Sequence, residues 1–227
     1  QYLKYAALAA NRPLPWHEVL VDTGQHYDAA LSQVFLDEYA IPRPHHTLNP
    51  GRETGLPRLA ALLAQLDRIV SEVAPDVVLC FGDTDSTLAA GLAAARHGIT
   101  LAHVEAGERS SDRHGLRIPP WTSLEESNRF IVDHLSTLLF CATLEAGENL
   151  GNEQAQGIIV HSGDIMYDLY CATRDRLRAR GEVLQGISVP QGPYALCTIH
   201  RPVNTDDARR LQRLLETLNA LDFPVLL

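Results

Sequence analysis

The chain contains 227 residues, of which 45% are hydrophobic and 21% are charged, proportions that are typical of a folded globular protein. The formal net charge is -9, which argues against binding to nucleic acid or to an anionic membrane surface through overall charge. The apolar runs are short and interrupted by charged residues or glycine, so the sequence predicts no membrane-spanning helix. A local basic pocket for a small phosphate-bearing ligand remains compatible with these values.

Short apolar runs alternate with segments of helical periodicity along the chain, which opens within a helical pattern. The predicted strands are Glu18–Val21, Val77–Phe81, Thr100–Val104, Leu138–Phe140, Ile158–His161, Tyr194–Thr198 and Val225–Leu227. The predicted helices are Ala29–Tyr39, Leu56–Val73, Thr87–Arg96, Glu125–Leu135, Leu144–Leu150, Ile165–Arg180 and Asp206–Leu221. This alternation predicts an α/β fold with a parallel sheet covered by helices on both faces. The continuous apolar run VVLCF at 77–81 predicts a strand that is buried on both sides.

A change in composition at Arg180–Pro193 indicates a connection between two domains, because Gly, Pro and Gln occur there without a regular period. We therefore expect a first α/β domain over residues 1–185 and the beginning of a second over residues 186–227. Because the chain starts within a helical pattern and ends on an apolar run, we also expect it to be a segment of a longer protein.

Polar side chains follow four of the predicted strands, at residues 22–27, 82–87, 105–109 and 200–202. In doubly wound sheets, ligands bind at the edge where the strands end. Any one of these segments is equally compatible with a turn or a helix cap. Four of them at the same edge predict a ligand-binding site.

No pattern in the sequence requires a metal. Asp83 and Asp85 form a D-x-D pair of the kind that holds a metal on a diphosphate, but capping of the next helix by Asp83 or Thr84 is the favoured interpretation. The four cysteines lack the close spacing of a zinc site. His45, His46 and His103 show no metal-ligand spacing either, and we interpret them as ordinary core or surface residues.

Two further charged groups have both a functional and a structural interpretation. Glu125 and Arg129 are one helical turn apart and would share a face, as catalytic partners or as an exposed ion pair. His200 and Arg201 follow a predicted strand and suit a phosphate or a developing anion. Alternatively, Arg201 pairs with the acidic residues shortly after it.

Six segments in this order resemble one family. They are VDTGQHYD, FGDTDSTLAAG, HVEAGERS, EESNRFIVDHLS, GDIMYD and TIHRPVN. Together they resemble the UDP-N-acetylglucosamine 2-epimerases, especially the non-hydrolysing bacterial and archaeal type. The resemblance implies two Rossmann-like domains of GT-B type with a UDP-sugar bound between them. It also implies a cytoplasmic homodimer that uses neither a metal nor another cofactor.

The chemistry implied by the resemblance is the interconversion of UDP-N-acetylglucosamine (UDP-GlcNAc) and UDP-N-acetylmannosamine (UDP-ManNAc). UDP is eliminated to leave a 2-acetamidoglucal, and UDP then adds back after protonation on the other face. The C2 hydrogen is not acidic, so carboxylates are needed both to stabilise positive charge near C1 and to move the proton. A cation is needed on the departing diphosphate.

The resemblance assigns the site residues as follows. Catalysis is expected from Lys4, Asp83, Glu105, Glu125, Arg129 and His200. Substrate binding is expected from Gln25, His26 and Arg201. Asp83, Glu105 and Glu125 would transfer protons and stabilise positive charge. The Arg129 guanidinium would orient a carboxylate or the sugar. Lys4 and His200 would interact with the diphosphate or the leaving group.

The motifs leave several activities open. A hydrolysing relative would release ManNAc and UDP, a related epimerase would act on a UDP-diacetamido uronic acid, and a GT-B glycosyltransferase would need an acceptor. A sugar-nucleotide-binding module without turnover is a further alternative. The loop before Glu125 is longer than is usual in the family, and Leu124 stands where proline is common. We therefore expect the substrate to be accommodated differently there.

Overall fold

A computed structural model of the protein describes residues 1–11, 16–24, 33–51, 53–112, 114–179, 189–200 and 202–227. The chain divides into two compact units, Gln1–Ala172 and Thr173–Leu227. Most of the connection predicted at Arg180–Pro193 lies outside the described residues. The domain boundary predicted after residue 185 therefore stays a prediction.

Helices and parallel strands alternate in the described chain. The helices are α1 (Tyr2–Ala10), α2 (Gln33–Glu38), α3 (Leu56–Val73), α4 (Asp85–Arg96), α5 (Leu124–Leu135), α6 (Leu144–Asn152), α7 (Ile165–Ala179), α8 (Pro202–Thr205) and α9 (Ala208–Asn219). The strands are β1 (Val21–Asp22), β2 (His46–Thr47), β3 (Val77–Phe81), β4 (Thr100–Val104), β5 (Leu138–Cys141), β6 (Ile158–His161), β7 (Ala195–Leu196) and β8 (Val225–Leu226). The predicted α/β class is confirmed.

The main sheet of the first unit has four parallel strands in the order β3-β4-β5-β6. A helix joins each strand to the next, so all four strands end at the same edge of the sheet. Strands β1 and β2 form a separate parallel pair in the same unit. In the second unit β7 pairs with β8, again in parallel.

Helix α3 forms where the apolar spacing of the sequence predicts it. Leu62, Leu66 and Val70 recur every four residues and are all buried, so one face of the helix packs into the core. The helix ends where Ala74 adopts a left-handed conformation with φ 45°. Its bounds, Leu56–Val73, are those predicted from the sequence.

The burial predicted for β3 is wrong. Val77 and Leu79 are 47% and 40% exposed, whereas Cys80 is buried. The strand lies at the edge of the four-stranded sheet, and its side chains alternate between a packed face and an open face. The strand that is buried throughout its centre is β4, where Leu101, Ala102 and His103 are almost inaccessible.

The second unit contains the strands β7 and β8 with helices α8 and α9 between them. Asp207 caps α9, because its carboxylate accepts hydrogen bonds from the backbone N–H groups of Arg209 and Arg210 at 2.9 and 3.2 Å. The predicted start of this helix at Asp206 lies within two residues of the observed start at Ala208. Within the part of the chain that is described, no helix is long and apolar enough to cross a membrane.

Candidate active site

Lys4 and Glu105 meet at the carboxyl edge of the main sheet. Lys4 lies on α1, and its Nζ is 2.5 Å from Oε2 of Glu105, which directly follows β4. Both side chains are largely shielded from solvent. Glu105 has a φ of 70°, a left-handed conformation that is unusual for a residue with a side chain. Such strained positions are found preferentially at functional sites.

Asp83 lies at the end of the neighbouring strand β3 and is held by helix α5. Its carboxylate accepts a hydrogen bond from Nη2 of Arg129, and its backbone carbonyl accepts one from Nδ2 of Asn128 at 2.9 Å. Asn128 is buried. Both the side chain and the backbone of Asp83 are thus positioned by α5.

Gly82 lies next to Asp83 in the chain and close to the Lys4–Glu105 pair in space. A Cβ at this position would lie 3.3 Å from Oε2 of Glu105 and 3.5 Å from Nζ of Lys4. Its φ of +67° is readily adopted only by glycine. Two carboxylates, each with a cation as partner, therefore flank the turn between β3 and α4.

The glutamate that pairs with Arg129 is Glu126, whereas the sequence analysis placed Glu125 on the same helix face as Arg129. Glu126 is 2% exposed, and its Oε1 accepts hydrogen bonds from Nη1 of Arg129 at 2.5 Å and from the Ser110 hydroxyl at 2.6 Å. The side chain of Glu125 is exposed and makes no hydrogen bond or ion pair with the described residues. The face-sharing partner of Arg129 is therefore Glu126 at i−3, and the exposed Glu125–Arg129 pair is not observed. The sequence permitted both spacings and did not distinguish them.

His103 and Asp133 form a buried pair beneath the site, and sequence reasoning missed it. Nδ1 of His103 lies 2.7 Å from Oδ1 of Asp133, and Nε2 lies 2.7 Å from the carbonyl oxygen of Gly82. The side chains of both residues are completely inaccessible. The interpretation of His103 as a core residue holds for its burial, but its contacts link it to the site.

The ion-pair network continues from Asp133 to the long loop before α5. Oδ2 of Asp133 lies 2.7 Å from Nη2 of Arg109, which also pairs with Glu153 at 2.6 Å. Arg117, within the loop, pairs with the same glutamate. Arg117 thereby ties the loop to the end of α6, while Trp121 at the far end of the loop is 83% exposed.

The carboxyl group of Glu108 lies in the segment after β4, three residues beyond Glu105. Burial raises the pKa of Glu108 above its ordinary value. The positive charge of Arg129 opposes this rise, and the negative charge of Glu105 adds to it.

Other predicted features have mixed outcomes. Helix α4 begins at Asp85 with Thr84 as its N-cap, so the capping interpretation of the D-x-D segment is confirmed for Thr84. His200 is exposed and lies in the second unit, and its predicted role stays a prediction. Gln25, His26 and Arg201 lie outside the described residues. Among the residues that are described, no group of three or more His, Cys, Asp or Glu side chains is placed to hold a metal ion.

Comparison with known proteins identifies the family. The family profile described as UDP-N-acetylglucosamine 2-epimerase matches residues 9–225. The chain belongs to this family. It is 36% identical over 230 residues to a UDP-N-acetylglucosamine 2-epimerase homolog of Methanococcus maripaludis, covering 99% of this chain and 62% of that protein.

Two further relatives indicate the chemistry found in the family. The UDP-2,3-diacetamido-2,3-dideoxy-D-glucuronate 2-epimerase of Pseudomonas aeruginosa is 37% identical over 213 residues, covering 92% of this chain and 56% of that protein. A crystal structure of the Methanocaldococcus jannaschii UDP-GlcNAc 2-epimerase in complex with UDP-GlcNAc and UDP superposes with a TM-score of 0.80 and 30% identity. That match covers 95% of this chain and 58% of the other. It confirms the predicted GT-B-like fold.

Membership in the family gives the cluster a chemical context. Homologues of this chain are named UDP-N-acetylglucosamine 2-epimerases, which is the isomerase class expected from the sequence. The chain spans 62% of the length of its Methanococcus relative. Asp83 and Glu105 follow adjacent strands, and Arg129 and Lys4 balance their charges. This arrangement offers oxygen atoms that can take up a proton and stabilise a cationic centre.

Proposed function

We propose that the protein to which this chain belongs is a non-hydrolysing UDP-GlcNAc 2-epimerase that interconverts UDP-GlcNAc and UDP-ManNAc. The observation that carries the proposal is the placement of Asp83 and Glu105 at the ends of adjacent strands, each paired with its own cation. Similarity to an epimerase crystallised with UDP-GlcNAc and UDP supports the choice of substrate.

The proposed reaction begins with elimination. A carboxylate of the Asp83 and Glu105 pair takes the C2 proton while the bond from C1 to the UDP oxygen breaks, and the electrons of the C2–H bond form the C1=C2 double bond. Positive charge that develops at C1 during this step is stabilised by the neighbouring carboxylate. The products of the step are 2-acetamidoglucal and UDP.

Re-addition completes the epimerisation. A proton is delivered to C2 from the opposite face, and the UDP oxygen forms a new bond to C1, which gives UDP-ManNAc. Protonation on two faces requires more than one acid–base group. Arg129 has a positioning role in this scheme, because it ties Asp83 to Glu126. Lys4 interacts with Glu105 and with the leaving diphosphate, while the roles of Glu125 and His200 stay predictions.

The decisive experiment follows C2 exchange in heavy water. The full-length protein is incubated with UDP-GlcNAc in deuterium oxide, and the products are identified by NMR. We expect deuterium at C2 in both UDP-GlcNAc and UDP-ManNAc, without accumulation of free ManNAc. Free ManNAc as the main product would instead identify a hydrolysing enzyme, and turnover without any C2 exchange would exclude elimination.

Two variants test the carboxylates. Asp83→Asn and Glu105→Gln should each abolish C2 exchange, because an amide cannot accept the proton at these positions. Glu72→Gln, which alters an exposed glutamate on α3, should leave exchange unchanged. Exchange at the unaltered rate in either site variant would remove that residue from the proposed mechanism.

A second candidate substrate is favoured by one specific comparison. The Pseudomonas diacetamido-glucuronate epimerase is as similar to this chain as the Methanococcus homolog is, with identities of 37% and 36%. The same assay should therefore include UDP-2,3-diacetamido-2,3-dideoxyglucuronate. A higher kcat/KM for this sugar than for UDP-GlcNAc would assign the protein to that substrate and retain the mechanism.

A further inference from the structure

We propose that His103 is a positioning residue, and that as a buried imidazolium it fixes the backbone turn that carries Asp83. The catalytic consequence rests on the proposed epimerase function, whereas the protonation state and the local geometry can be tested without it. The proposal begins with the two hydrogen bonds of the imidazole ring, both of which are made inside the protein at 2.7 Å.

The partners of His103 determine which nitrogen atoms carry protons. The carbonyl oxygen of Gly82 can only accept a hydrogen bond, so Nε2 must donate. Nδ1 faces Oδ1 of Asp133, while Oδ2 of the same carboxylate lies 2.7 Å from Nη2 of Arg109 and accepts a hydrogen bond from the Gly107 N–H at 3.1 Å. The ion pair with the Arg109 guanidinium favours the ionised form of Asp133, and an ionised carboxylate can only accept a hydrogen bond from Nδ1. Both nitrogen atoms therefore donate, and the ring is positively charged.

The hydrogen bond to Gly82 fixes the turn at the end of β3. The Gly82 N–H donates to the carbonyl oxygen of Val104 at 3.0 Å, and the Gly82 carbonyl accepts from His103. Both backbone polar groups of this residue are therefore held by strand β4. The carbonyl of Asp83 is held in turn by Asn128, so two successive peptide groups are anchored directly before the α4 cap.

This anchoring acts on both carboxylates of the proposed mechanism. Asp83 directly follows the anchored turn, and a Cβ at Gly82 would lie 3.3 Å from Oε2 of Glu105. A shift of the turn would therefore alter the position of Asp83 and the space beside Glu105 together. Displacements of about 1 Å in such groups can lower a rate by about 100-fold.

The competing interpretation is that His103 only fills space in the core. Its side chain is fully buried, and removing it would in any case leave Asp133 with one partner fewer. A loss of stability therefore does not separate the two interpretations. The separating measurements are the protonation of the ring, the local protection of the turn, and the ratio between effects on kcat and KM.

The first experiment is NMR of the full-length protein labelled with ¹⁵N-histidine. The His103 signal is assigned by its disappearance in His103→Gln. We expect one-bond N–H couplings at both ring nitrogens at neutral pH. A ring nitrogen without its proton would overturn the assignment of an imidazolium, and this result does not depend on whether the protein turns over UDP-GlcNAc.

The second experiment compares His103→Gln with Leu62→Ala, which changes a fully buried residue in the separate core cluster of α3. In His103→Gln, we expect the amide of Gly82, which donates to the Val104 carbonyl, to exchange faster with deuterium and kcat to fall by about 100-fold with little change in KM. Leu62→Ala should lower stability but retain kcat and the protection of the Gly82 amide. Unchanged protection in folded His103→Gln would refute the positioning role. Absence of C2 exchange in the unaltered protein would refute the proposed function alone.

Discussion

The ion pair between Lys4 and Glu105 joins residues that are 101 positions apart in the sequence, with 2.5 Å between Nζ and Oε2. It connects helix α1 to the residue that directly follows β4, where the backbone of Glu105 is strained. The contact therefore stabilises a conformation that places a carboxylate at the sheet edge and that isolated residues rarely adopt.

A double-mutant cycle on this pair should show a favourable coupling. Lys4→Met, Glu105→Gln and the double variant are compared by urea unfolding. We expect a coupling energy of about 1 kcal/mol, because both side chains are partly shielded from water. The Arg174–Asp175 pair, which is 3.5 Å long with side chains 50% and 80% exposed, is a suitable control and should show almost none. Equal coupling energies for the two pairs would show that the Lys4–Glu105 pair stabilises the fold no more than an exposed pair does.

Arg129 should be needed for stability because it neutralises a buried carboxylate. Arg129→Met leaves Glu126 buried without its cation, and we expect the free energy of unfolding to fall by about 3 kcal/mol. Adding Glu126→Gln should recover part of this loss, since the unpaired charge is then gone.

The matched control for Arg129→Met is Arg68→Met, which removes an exposed guanidinium from α3. Its effect should stay within about 0.5 kcal/mol. If Glu126→Gln makes the Arg129→Met variant less stable still, the loss does not arise from an unpaired charge at Glu126.

The sequence predicted those elements whose pattern is local. Helix α3 and strands β3, β4 and β6 have their predicted bounds, because apolar spacing and flanking turns determine them within a single segment. Strand β2 was missed, since His46–Thr47 is too short to show a period. The exposure of Val77 and Leu79 depends on the place of β3 at the sheet edge, which the run VVLCF does not encode.

The motifs named several residues that the structure brings together, whereas contacts between distant segments outside the motifs were missed. The functional roles of the named residues stay predictions. Lys4, Asp83, Glu105 and Arg129 do meet in the first unit. Which of Glu125 and Glu126 pairs with Arg129 depends on the rotation of α5, which adjacent residues cannot reveal. The pairing of His103 with Asp133 spans 30 residues, and neither residue forms a recognisable spacing with the other.

Gly107 should tolerate no side chain. Its φ is +78°, and a Cβ would lie 2.1 Å from the carbonyl oxygen of Ala146. We expect Gly107→Ala to lower the free energy of unfolding by about 3 kcal/mol, through backbone strain and overpacking together.

Gly98→Ala separates these two causes. Gly98 has a φ of +66° but nothing within 4 Å of its Cβ position, so only strain remains and the loss should be about 1 kcal/mol. Urea unfolding measures both variants. Equal losses would show that the contact with Ala146 relaxes without cost.

Glu108 should make stability depend on pH in a direction that follows from its raised pKa. Burial raises this pKa above the ordinary value of 4.5, so the folded protein holds the proton to a higher pH than the unfolded chain does. Stability then falls as the pH rises from about 4.5 through the folded-state pKa.

Glu108→Gln removes this loss of stability. Urea unfolding at pH 4 and pH 7 gives the difference in unfolding free energy between the variant and the unaltered protein. This difference should favour the variant more at pH 7 than at pH 4. Glu148→Gln, at an exposed position on α6, is the control. A stability difference for Glu108→Gln that is the same at both pH values would contradict the raised pKa.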